Sequence, residues 1–135
     1  MNPMSEYKKS LTKEFNLGEH KVIMRSLTSK ELEDIEKIVT FKITNFSNQA
    51  VYQIKKIEIL ARSLVSIDGI SLRQFEEVQN EIAKTDNPDL IAIIRKEIES
   101  WDASATDILY GFYNILMEEK AKEFKKELDF LQPRP

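Results

Sequence analysis

The stretch Gln49-Ala50-Val51-Tyr52-Gln53-Ile54-Lys55-Lys56-Ile57-Glu58-Ile59-Leu60-Ala61-Arg62-Ser63-Leu64-Val65-Ser66-Ile67-Asp68-Gly69-Ile70 decides how the chain is read. Ala50, Ile54, Ile57, Ala61, Leu64 and Val65 recur at helical spacing, while Lys55, Lys56, Glu58 and Arg62 lie away from that stripe. The pattern predicts an amphipathic helix from Gln49 to Ser66. Ile67-Asp68-Gly69-Ile70 then stops it, because Asp-Gly is a turn dipeptide and Gly accepts a positive φ that other residues resist. A helix of this length in mid-chain makes the expected fold mainly α.

Toward the N-terminus, Thr12 to Leu17 and Lys21 to Arg25 bracket Gly18-Glu19, with β-branched or aromatic residues alternating on each side. This predicts a short hairpin whose apolar side, Phe15, Leu17, Val22 and Met24, must lie on helices or pair with another chain. Thr28-Ser29-Lys30-Glu31 has capping-box form and starts a helix carrying Leu32, Ile35, Ile38 and Val39. The pattern fades over Thr40 to Ser47, with a bend or break expected near Asn45.

Toward the C-terminus, Ser71 with Gln74 forms a second capping box before Leu72, Phe75, Val78 and Ile82. Asn87 as cap and Pro88 at the first helical position predict a helix with Leu90, Ile91, Ile94, Ile98 and Trp101 on one face. Asp102 to Ser104 interrupts the chain before the longest helix, Ala105 to Phe130. In its first half Ile108, Leu109, Tyr110, Phe112, Tyr113, Ile115, Leu116 and Met117 surround most of the circumference, as in a buried helix. Beyond Met117 only Ala121, Phe124, Leu128 and Leu131 continue, at steps of four and three between charged residues, a narrow seam suited to packing one other helix.

The expected fold is therefore a compact bundle of four to five helices with a short N-terminal β-hairpin. The expected domains are a flexible leader over 1–10, a single helical domain over 11–131 and a tail over 132–135. A chain of 135 residues fits one core, and 41% hydrophobic residues with only 3 Gly and 4 Pro favour helices over a sandwich or barrel.

Composition also narrows function. Twenty Lys+Arg against 23 Asp+Glu leave a formal charge of -3, with no general attraction for polyphosphate, so nucleic acid is not an expected partner. No apolar run approaches the ~20 residues that cross a bilayer, and the first ten residues are polar, so a cytoplasmic protein is expected. With no Cys there is no disulfide, thiolate nucleophile or Cys-based metal site.

His20 has no Cys or Ser-His-Asp framework around it and reads as a turn histidine. Gly18, Gly69 and Gly111 are isolated, not a phosphate-binding loop. Glu76-Glu77 and Glu118-Glu119 point about 100° apart on a helix and do not converge as acid and base. Asp68-Gly69 lacks the alternating oxygen ligands of a calcium loop. Trp101, Phe112 and Tyr113 read as core aromatics. No catalytic, cofactor or metal residues are expected, and the reading is a non-enzyme. Partner binding is assigned to Met117, Ala121, Phe124, Leu128 and Leu131, with internal docking of that seam an equal alternative.

Three segments carry a family resemblance. They are Lys21-Val22-Ile23-Met24-Arg25-Ser26-Leu27-Thr28-Ser29-Lys30-Glu31-Leu32, Leu60-Ala61-Arg62-Ser63-Leu64-Val65-Ser66-Ile67-Asp68-Gly69 and Ile108-Leu109-Tyr110-Gly111-Phe112-Tyr113-Asn114-Ile115-Leu116. In their order and character, from about Phe15 to Leu131, the chain resembles the small tail assembly chaperones and related tail accessory proteins of long-tailed bacteriophages. The resemblance implies a helical protein in the host cytoplasm that binds the tape measure protein, or another tail protein, while tail-tube subunits polymerise around it. The alternatives are a structural baseplate or tail-completion subunit of the virion, including a homo-oligomer, and a small bacterial adaptor or regulatory protein.

Overall fold

The computed structural model describes residues 3, 4, 10–42 and 48–131, the side chains of 48, 49, 124 and 126–131 excepted. The expected leader falls mostly outside these residues, and the break near Asn45 and the tail lie wholly outside them. In chain order the elements are β1 (Thr12–Leu17), β2 (His20–Arg25), α1 (Ser29–Lys42), α2 (Asn48–Ser63), β3 (Leu64–Ile67), β4 (Ile70–Ser71), a 3-10 turn (Leu72–Gln74), α3 (Glu76–Ala83), α4 (Leu90–Glu99) and α5 (Ala103–Leu131).

The helical bundle with a lone hairpin is corrected here. The described residues form five α-helices around a four-stranded antiparallel sheet in the order β1-β2-β3-β4. The predicted hairpin is present, Phe15 facing Val22 and Leu17 facing His20 across Gly18-Glu19. Gly18 alone of the two loop residues takes a positive φ, +61°, the pattern of a type II′ turn. The second hairpin lies inside the stretch read as helix end and stop. α2 ends at Ser63, and Leu64-Val65-Ser66-Ile67 leaves it as a strand beside β2.

Two features make that strand. Asp68 and Gly69 have φ of +52° and +78°, which is the type I′ loop that an Asp-Gly pair favours between β-branched flanks, here Ile67 facing Ile70. A bulge at Val65 then sets Leu64 opposite Met24, so that Leu64 enters the core at 7% exposure and Val65 stays out at 37%. Without the bulge, strict alternation would exchange those two side chains.

The capping box at α1 forms as expected, the Glu31 N–H donating to the Thr28 hydroxyl at 3.2 Å and the Thr28 N–H to the Glu31 carboxylate at 3.0 Å. The Arg25 guanidinium grips the same carboxylate at 2.6 and 2.8 Å and holds it down at about 2. At α4 the cap is Asp89, not Asn87, its carboxylate accepting from the Ala92 N–H at 3.2 Å. Pro88 thus precedes the cap instead of following it. Gln74 accepts from the Ser71 N–H at 3.2 Å, but this opens the 3-10 turn, and α3 begins only at Glu76.

The core is shared by sheet and helices: Val22, Met24, Ile35, Leu60, Ile98 and Leu116 are completely covered. Fully burying side chains of this kind contributes about 1.5–3 kcal/mol each relative to leaving them in water. α2 is the hub, packing on α1, α4 and α5, while α5 also lies under β1 and β2.

The two hairpin turns are fastened to each other. The Asp68 carboxylate meets the His20 Nδ1 at 2.5 Å and accepts from the Lys21 N–H at 2.8 Å. His20 is therefore a turn histidine with a partner. That hydrogen bond and charge raise its pKa above the ordinary 6.5. The same contact lowers the Asp68 pKa, so the clasp holds between the ordinary carboxylate range and 6.5, and is lost as pH rises through the raised His20 value or falls through the lowered Asp68 value. NMR titration of His20 is expected to show an upward shift, and Asp68→Asn to return it toward 6.5; an unshifted His20 in the native chain would count against the clasp.

Candidate functional site

α5 begins where Asp102 caps it, the carboxylate accepting the Ser104 N–H at 2.8 Å and the Ser104 hydroxyl. These hydrogen bonds lower the Asp102 pKa. One face enters the core through Thr106, Leu109, Tyr113 and Leu116. Burial pushes the Tyr113 hydroxyl up to about 12. On one flank Phe112 stacks on Phe15 of β1, ring centroids 4.7 Å apart and planes 7° apart. On the other, Asp107 receives Lys56 of α2 at 2.7 Å, with Tyr110 edge-on to Tyr52 at 5.6 Å.

The expectation that this half of the helix is buried all round is only partly met. Ile108 and Ile115 stand 47% and 44% exposed on the side of α5 turned from the core. Trp101 and Phe112 are half-buried against the core, and Tyr113 is within it.

After Leu116 the helix leaves its cover. Met117, Glu119 and Lys120 are half-buried, Lys13 of β1 reaching Glu119 and Lys120 reaching the Ser26 hydroxyl at 3.1 Å. Ala121, Lys122, Glu123 and Lys125 are exposed, and they point in several directions around the helix. A helix of 29 residues is roughly 43 Å long, more than a small domain's width, so its end forms an arm. Of the residues assigned to partner binding, Met117 packs on the edge of the core and Ala121 lies open on the arm. Phe124, Leu128 and Leu131 fall where side chains are not described.

A second feature differs from the sequence expectation. Lys56 and Glu58, placed off the apolar stripe of α2, are each 1% exposed. The Glu58 carboxylate accepts from Arg95 Nε at 2.7 Å and is 2.6 Å from Arg95 Nη2, while Arg62 lies 3.5 Å away. The only sequence signal was the four-residue spacing of Glu58 and Arg62; Arg95 lies on another helix.

This pair borders a cleft of about 300 Å³ between α2, α4 and the start of α5, lined by Ile54, Ile57, Ile98 and Trp101 among others. Its buried carboxylate is committed to two guanidinium groups and is a structural tie, not a free base. Among the described residues no three His, Cys, Asp or Glu side chains are placed to hold a metal ion, and no helix is long and apolar enough to cross a membrane.

Comparison with protein-family models, curated proteins and solved structures finds no match to this chain.

Proposed function

We propose that this chain is a non-enzymatic tail assembly chaperone of a long-tailed bacteriophage, working in the host cytoplasm and holding a helical segment of its client, such as the tape measure protein, along the arm of α5. The observation that carries this reading is the arm itself, a helix that runs on to Leu131 and whose described side chains Ala121, Lys122, Glu123 and Lys125 are all exposed. A helix exposed in this way gains most of its stability from packing an apolar stripe, and in this sequence that stripe is Ala121, Phe124, Leu128 and Leu131 between charged neighbours. Two apolar positions per heptad suit one partner helix, and the charged rim allows release.

Client solubility tests the proposal. Co-expressed with the tape measure protein of its own source, the full chain is expected to hold the client soluble and to co-purify with it, whereas a chain ending at Lys120 fails. Equal client solubility with and without the arm would overturn it. The structural-subunit reading draws support from the open edge of β1.

A further inference from the structure

β1 has β2 on one side, and among the described residues no strand on the other. In a two-residue hairpin the pair flanking the loop exchanges hydrogen bonds, and pairs alternate from there. Lys13, Phe15 and Leu17 therefore direct their backbone groups to β2, and Thr12, Glu14 and Asn16 direct theirs outward. Such an edge is a template for another strand.

α5 runs antiparallel beneath this edge, with Lys13 at Glu119 and Phe15 on Phe112. Around the helix, Ile108 and Ile115 lie on the far side of Phe112 from the buried Leu109 and Leu116, which carries them beyond β1. They are one heptad apart with Gly111 between them, and a Cβ built on Gly111 would meet nothing within 4 Å. The surface thus combines an open strand edge, an apolar helix stripe and a notch for close helix approach.

We propose that a second copy of this chain occupies it, the two β1 strands pairing antiparallel into one eight-stranded sheet with the two α5 helices side by side beneath. Two features select a copy of the chain itself. A pairing centred on Phe15 sets the outward-directed Glu14 against Asn16 of the other copy, Lys13 against Leu17 and Phe15 against its equivalent. No like charges then face each other, whereas the neighbouring register centred on Glu14 would oppose two carboxylates. Because Phe15 lies over Phe112, the same two-fold axis passes near Gly111 and brings Ile108 of one helix to Ile115 of the other. The arms leave such a dimer at opposite ends, so this surface is separate from the client seam.

Sedimentation of the full chain over a micromolar to submillimolar series tests this. The expected result is a reversible dimer that Ile115→Asp and Glu14→Pro each weaken roughly 100-fold, with circular dichroism unchanged. Pro at 14 removes only an outward N–H, so β1–β2 pairing survives it. A native chain that is monomeric throughout overturns the proposal, including the case in which deleting residues 1–9 produces a dimer, since the leader would then be the occupant. A dimer that resists Glu14→Pro, or that is lost only on Leu128→Asp, also overturns it, by placing contact on helices alone or on the seam.

Discussion

Arg95→Met is expected to cost about 3–5 kcal/mol of folding stability and to lower Tm by roughly 10–20 °C. Glu58 is 1% exposed and its carboxylate is held mainly by Arg95 from α4. Removing the guanidinium leaves a charge in the core with Arg62 at 3.5 Å as its nearest compensation. The penalty is largely that of the orphaned carboxylate, so Glu58→Leu combined with Arg95→Met should recover most of the loss, apolar groups of similar volume often replacing a buried pair at little cost. Urea denaturation of the two single variants and the double variant measures this. A single-variant loss below about 1 kcal/mol, as for a surface pair, would show that Glu58 is solvated in solution.

That ion pair also marks where the sequence was readable and where it was not. Elements set by neighbours in the chain were legible: the Gly18-Glu19 hairpin, the Thr28–Glu31 capping box, and the apolar spacing of α1, α2 and α4. Charged residues on a helix surface carry no mark of the element that will cover them. Glu58 meets Arg95 from 37 residues away and Lys56 meets Asp107 from 51. The missed strands have a different cause. Leu64 and Val65 fit the phase of the helix before them, and pairing with β2, reached from 40 residues away, is what a local pattern does not show. Asp68-Gly69 between Ile67 and Ile70 is a strong hairpin signal, but after a helical stripe it also serves as a stop. For α5, circumferential apolarity implies burial, yet Ile108 and Ile115 remain at the surface.

Leu128→Asp carries the second large expected effect, a loss of client affinity of more than about 100-fold with helical content and thermal stability unchanged. Among the described side chains of α5 Leu116 is the last that is buried, and Ala121, Lys122, Glu123 and Lys125 beyond it are exposed; the proposed seam continues along this arm. A carboxylate placed in an apolar seam must be desolvated whenever a partner helix closes over it, and that cost falls on the complex alone. Titration of the purified chain with a synthetic amphipathic helix from the tape measure protein reads the effect. Unfolding of the variant would return the seam to the core; unchanged affinity would move the client elsewhere.

Amide hydrogen exchange on the chain, free and with its client, reports whether the arm is the client's binding surface. Rapid exchange is expected over residues 118–131 in the free chain, slowed there by the client while α1 to α4 keep their rates. Protection of the arm already complete without a client, or client protection appearing at the α2–α4 cleft instead, would contradict it.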